Sequence, residues 1–292
     1  MTTQYQIEYH THNKYENPVT EALYYFLVTP CQNETQKVQK TGFYNSLNTE
    51  LFNNRNVFGF ERTCLRSTVP FTELEFSMKA TVEKTRPQHI MKVQLSVEEE
   101  RNLLNSSDFY IDHHLYLLNS HYTQISESYL GQLLQPKENQ PVLNYLVDLN
   151  EFIFNLLEFD TQHTNVHTTV NEVLGLGKGV CQDYTHLFLG IARHHKIPCR
   201  YVSGYLNQGM GFSGAAVMHA WIEAFVPGYG WMGFDPTNNM FEDENYIKAA
   251  HGSDYSDCSP IKGMLKTTGA NYTNYGVKVQ ANHMQQLAQQ VL

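Results

Sequence analysis

Apolar and polar positions alternate along the first hundred residues, and then the period changes. Residues 4–9 and 74–83 are rich in Tyr, Ile, Val, Phe and Thr, the residues that favour strands. Met91-Lys92-Val93-Gln94-Leu95-Ser96-Val97 alternates as a half-buried strand should. Turn signals fall at Asn17-Pro18, at Pro30 and at Asn53-Asn54. Residues 1–105 are therefore expected to form a β-rich, mostly antiparallel N-terminal domain, with residues 106–292 as a second domain. The stretch Asn102 to Ser120 has no clear period and is expected to connect the two.

From Pro141 the spacing becomes helical. Val142, Leu143, Leu146, Leu149, Ile153, Leu156 and Leu157 predict a helix of about twenty residues. A short helix is expected over residues 168–174, stopped by Gly175 and Gly177. Tyr184, Leu187, Phe188, Ile191 and Ala192 then form one apolar stripe, so a central helix starts near Cys181 and ends before Pro198. Strands are expected at 201–205, 219–226 and 231–235. The glycines from Gly209 to Gly214 mark a mobile loop.

Composition narrows the possibilities. The chain of 292 residues is 41% hydrophobic, with nineteen tyrosines and sixteen phenylalanines, enough for a large aromatic core. Its net charge of −9 argues against nucleic acid or an anionic membrane surface as a partner. It has no apolar run long enough to span a bilayer. The start, Met1-Thr2-Thr3-Gln4-Tyr5-Gln6, has neither a basic nor an apolar region of the signal-peptide kind, so a cytoplasmic location is expected. Five scattered cysteines show no metal-ligand spacing and suggest no disulfide framework. The adjacent pairs His113-His114 and His194-His195 are expected to be hydrogen-bonded or solvated. No metal and no cofactor is expected.

The chemistry concentrates around Cys181 in Gly177-Lys178-Gly179-Val180-Cys181-Gln182-Asp183-Tyr184. A lone cysteine in an amphipathic helix is ordinarily core. This one stands in the first turn, where unpaired N–H groups favour a thiolate and can also stabilise an oxyanion. His219 and Asp235 supply an imidazole and a carboxylate in flanking strands. If these two stand directly opposite each other, the turn centres on Pro227, next to Gly228, and the pair can act as base and orienting acid. If Pro227 to Gly230 form the whole loop, Asp235 falls opposite Ile222 and faces away from His219. Both registers are open at this level.

These residues resemble the bacterial transglutaminase-like proteins, a group often described as candidate cysteine proteases. The resemblance is carried by Gly179-Val180-Cys181-Gln182-Asp183-Tyr184-Thr185-His186, by residues 197–206, by His219-Ala220-Trp221-Ile222-Glu223, and by Gly230-Trp231 through Asn238. Asp254-Tyr255-Ser256-Asp257 and Pro260-Ile261-Lys262-Gly263 extend it, so that it covers roughly residues 115–275. It implies an α+β fold with a papain/transglutaminase-like core: a nucleophile helix packed on an antiparallel sheet, preceded by the β-rich domain. It also implies Cys181 as nucleophile, His219 as general base and acid, and Asp235 as the orienting residue. The partner would be a peptide or protein substrate carrying an amide or isopeptide bond. Hydrolysis through a thioester is the leading expectation. Acyl transfer to a primary amine and a non-catalytic binding module on the same fold are the alternatives. Ser253, where relatives often carry arginine, and the absence of any tryptophan upstream of Cys181 depart from the cross-linking pattern. The sequence assigns no oligomeric state.

Overall fold

The computed structural model describes residues 2–282. Its first strand, Thr2–Val19, shows why the N-terminal part forms a sheet. Tyr5, Ile7, Tyr9, Thr11, Asn13 and Tyr15 are buried while most of the residues between them face outward. This strand lies between Phe71–Thr85 and Asn271–Asn282, and Gln36–Asn45 completes a four-stranded antiparallel sheet. A second sheet of four, in the order Ile261–Lys266, Glu21–Phe26, Glu61–Ser67 and Leu51–Arg55, shares its core. Phe26 stacks on Phe76 across the gap with ring centroids 3.7 Å apart.

The remaining layer is a five-stranded sheet. Its order is Met240–Phe241, Gly230–Asp235, His219–Val226, Cys199–Leu206 and Tyr246–Gly252. The helix Cys181–His194 packs on the strands His219–Val226 and Cys199–Leu206. Helices Val142–Leu156 and Val170–Leu176 cover it in turn. The apolar stripe predicted one buried face, yet every residue from Cys181 to Arg193 is buried. The extra burial is possible because the polar members find partners. The Arg193 guanidinium donates to the carbonyls of Tyr116, Leu118, Cys199 and Ser253, so its charge is fully hydrogen-bonded. The architecture is α+β, as expected.

Two local expectations change. Residues 91–97 do not form a strand. Ser96 instead caps the helix Val97–Leu104, with its side chain bonded to Glu99 N–H and the Glu99 carboxylate returning to Ser96 N–H. The stretch from Asn102 to Ser120 is not a plain connection but contains the helix Ser107–His113, capped by Ser106. Packing also runs across the expected division at residues 105/106. Leu104 belongs to the same hydrophobic core as the Cys181 helix, and the Glu100 carboxylate accepts the Val142 N–H at 2.8 Å. The C-terminal strands Ile261–Lys266 and Asn271–Asn282 pair with Glu21–Phe26 and Thr2–Val19, in the N-terminal sheets. Strands far apart in sequence can satisfy exposed sheet edges, and alternation within one segment does not reveal such pairing.

A buried ion pair joins the layers. Lys84, with no exposed side-chain surface, donates to Glu242 at 3.0 Å and to Thr35 at 3.1 Å. Lys84→Ala should lose about 3 kcal/mol in urea unfolding, because the Glu242 charge is left without its partner. The double variant Lys84→Met with Glu242→Gln should recover most of that loss. Equal losses in both would contradict the pairing.

Candidate active site

Backbone conformation places Cys181 at the start of its helix. Gly177 ends the preceding helix in the left-handed region at φ 67°, a conformation that costs glycine little. Residues Lys178–Gly179 then pair in parallel with Glu158–Phe159. Gly179 cannot bear a side chain, since a Cβ there would stand 2.7 Å from Asp183. That close approach lets the Asp183 carboxylate accept the Val180 N–H at 2.8 Å and the Thr164 hydroxyl at 2.7 Å, closing the first turn. Burial pushes the Asp183 carboxyl above its usual range, against the pull of these two bonds. The Cys181 N–H belongs to the same turn and has no intrahelical acceptor.

His219 opens its strand, across from Gly204. The strands of His219 and Asp235 follow neither of the two registers considered from the sequence. Val226 pairs with Gly230 around Pro227, Gly228 and Tyr229, and Ile222 pairs with Phe234. One step further along, Asp235 faces Trp221 and is diagonal to His219, on the same face of the sheet. A diagonal pair is within reach of long side chains. His219 Nε2 and Asp235 Oδ2 lie 2.8 Å apart, with both side chains fully buried.

Asp235 is held by more than the histidine. Its Oδ1 accepts the N–H groups of Thr237 at 2.9 Å and Asn238 at 3.3 Å. Its Oδ2 accepts the Asn238 amide and the Tyr246 hydroxyl, each at 2.8 Å. Burial raises the Asp235 carboxyl, but His219, then Asn238 and Tyr246, outweigh it and hold the group below the usual carboxylate range. For His219 the balance is mirrored. Burial lowers it, while the carboxylate of Asp235 and then the neighbouring Cys181 push it up to about 10. The other ring nitrogen, Nδ1, is buried and accepts or donates no hydrogen bond, and the nearby Cys181 is among the groups that raise the imidazole.

Two further groups shape this arrangement. Trp221 stacks on His219 with centroids 6.2 Å apart at 19°, and its indole N–H donates to Glu242 at 3.4 Å. Gly214 has φ 83°, and a Cβ on it would stand 2.8 Å from His219 Nδ1 and 3.9 Å from Cys181 Cβ. The glycine loop is tied down at several points. Ser213 exchanges hydrogen bonds with the Asn238 side chain, and Gln208 bonds to Val277 and Val279 of the C-terminal strand.

The structure thus brings Cys181 and His219 to the wall of one cavity, with Asp235 buried behind His219. It adds Asn238, Tyr246 and Gly214, which sequence reasoning did not single out. Asn238 had a local signal, three residues after an aspartate in a turn. Tyr246 had none, because it arrives from the far edge of the sheet. Among the described residues, no group of three or more His, Cys, Asp and Glu side chains is placed to hold a metal. None of the helices described is long and apolar enough to cross a membrane.

The pH dependence of stability follows from the His219 shift. Its contribution should be complete below pH 6.5, the ordinary histidine value, and fade as pH rises through about 10. Urea unfolding of wild type and His219→Asn should show the wild-type advantage shrinking across that interval. A gap that stays constant would contradict the raised value.

The chain is similar to several known proteins. Residues 131–236, which include Cys181, His219 and Asp235, match the model of the transglutaminase-like superfamily. An uncharacterised protein of Mycobacterium leprae is 26% identical over 270 residues, 91% of this chain and 94% of its own length. An uncharacterised protein of Mycobacterium tuberculosis is 32% identical over 158 residues, and the chain spans about half the length of that relative. A candidate cysteine protease from Cytophaga hutchinsonii shares the fold at a TM-score of 0.75 and 20% identity, over 96% of this chain and 91% of its own. The chain thus matches the transglutaminase-like superfamily over residues 131–236, within an α+β fold that has a β-rich N-terminal part.

Proposed function

We propose that the protein is a cysteine-nucleophile amide hydrolase acting on a peptide or protein substrate. The observation that carries this reading is the two-sided engagement of His219: Nε2 is fixed on a buried carboxylate, and Nδ1 is left for the Cys181 thiol. An imidazole held in this way has one tautomer and one orientation, and it is stabilised when protonated.

The steps follow from those positions. The Cys181 proton passes to His219 Nδ1, and the thiolate attacks the amide carbonyl carbon. The carbonyl π pair moves onto oxygen, where the Cys181 N–H of the helix first turn stabilises it. Collapse of this intermediate breaks the C–N bond. The amine leaves with the proton returned by His219, and a thioester remains on Cys181. His219 then removes a proton from water, which attacks the thioester and frees the acid and the thiol. Asp235 keeps the imidazolium favourable throughout, and Asn238 and Tyr246 keep Asp235 ionised.

Cys181→Ala should abolish turnover with an unchanged circular dichroism spectrum, and retained activity would overturn the assignment. Iodoacetamide at about pH 6 to 7 should alkylate Cys181 ahead of Cys31, Cys64, Cys199 and Cys258. Burial raises the thiols of all four of those. Uniform labelling would count against an activated thiolate. Tyr246→Phe removes one donor from Asp235 and should lower kcat/KM roughly tenfold. Running the assay with a primary amine present separates hydrolysis from acyl transfer, because an amine adduct of the donor would favour transfer.

A further inference from the structure

The space beside Cys181 and His219 is a cavity of about 590 Å³, within the range of small-ligand sites. Its walls include apolar and aromatic side chains from distant parts of the chain. The glycine loop and strand start give Phe212 and Met218, and the five-stranded sheet gives Tyr201. The outer sheet contributes Tyr9 and Tyr275. None of the described residues that line it is Asp, Glu, Lys or Arg. This is notable in a chain with 29 acidic and 20 basic residues. Cys181, His219 and tyrosines are the ionisable groups of the wall. Burial first of all pushes the phenols of Tyr9, Tyr201, Tyr255 and Tyr275 above their ordinary value, which keeps them neutral.

A charged side chain entering this space would lose water and meet no counter-charge other than the catalytic pair itself. A neutral side chain would exchange water for aromatic and aliphatic contact. We propose that this cavity is the acyl-donor subsite and that it selects donors whose residue next to the scissile carbonyl is uncharged. The inference rests on the nucleophile assignment for Cys181. The strand Asn271–Asn282 takes part in the selection, because it places Tyr275, half-exposed, at the cavity wall.

Peptidyl chloromethyl ketones, which alkylate a cysteine by loss of chloride and carry the varied residue on the acyl side of the reactive carbonyl, test the subsite without a known substrate. Two matched pairs differ in charge at nearly constant size: glutamine against glutamate, and methionine against lysine. Alkylation rates at Cys181, each divided by the rate with iodoacetamide, should favour glutamine over glutamate and methionine over lysine by about tenfold or more. The second pair is the more diagnostic, since the net charge of −9 would by itself attract the lysine probe. Equal rates within both pairs, with iodoacetamide still selective for Cys181, would overturn the subsite and leave the nucleophile assignment standing. Loss of that selectivity would overturn both. Tyr275→Lys, on an exposed edge-strand position, should raise the glutamate probe relative to the glutamine probe several-fold. An unchanged ratio would show that this strand does not face the donor and would overturn its part in the inference.

Discussion

The buried contact between Asp235 and His219 is the constraint around which the rest of the molecule is arranged. A carboxylate with no solvent exposure is stable only if protein donors replace water. Here five of them do: His219, Thr237, Asn238 through two groups, and Tyr246. Those donors come from a strand start, a turn and the opposite edge of the sheet. Fixing one carboxylate therefore fixes the relative position of three elements. The same contact sets the charge state of His219 and, through its free nitrogen, the surroundings of Cys181.

The outer layers support this contact in a traceable way. Lys84 of the N-terminal sheet holds Glu242, Glu242 accepts the Trp221 indole N–H, and Trp221 stacks on His219. A second buried group works on the same sheet. Lys248 and Arg200 both reach Glu223 and hold its carboxyl low against the effect of burial, while the Gln36 side chain brackets the Lys248 backbone. The N-terminal sheets therefore do more than precede the core. They supply charges and a cavity wall to it, and the C-terminal strands bind them from the other end of the chain.

What the sequence made legible follows the range of the forces involved. The Cys181 helix, its glycine approach and the strands at 219–226 and 230–235 are encoded by local period and turn residues, so they could be read directly. The diagonal register of His219 and Asp235 could not. It depends on whether three or four residues close the turn after Val226, and sequence allows either. Tyr246 and Lys84 were invisible for another reason: their partners lie in other layers, and a lone tyrosine or lysine carries no local mark of burial. The alternation at 91–97 misled because Ser96 and Glu99 form a cap that outweighs a weak strand pattern. The glycine-rich loop read as mobile, yet Gly214 is required by the close approach of His219 and the loop is tied to Asn238 and Val277.

The central claim is that Cys181 carries the acyl group as a thioester. Mixing the protein with an activated ester of an uncharged N-acyl amino acid, quenching in acid and measuring intact mass tests it most directly. The account predicts one acyl adduct per chain, mapped to Cys181, released by neutral hydroxylamine, and absent in Cys181→Ala. An adduct on serine or lysine, or one that persists in the alanine variant, would contradict it.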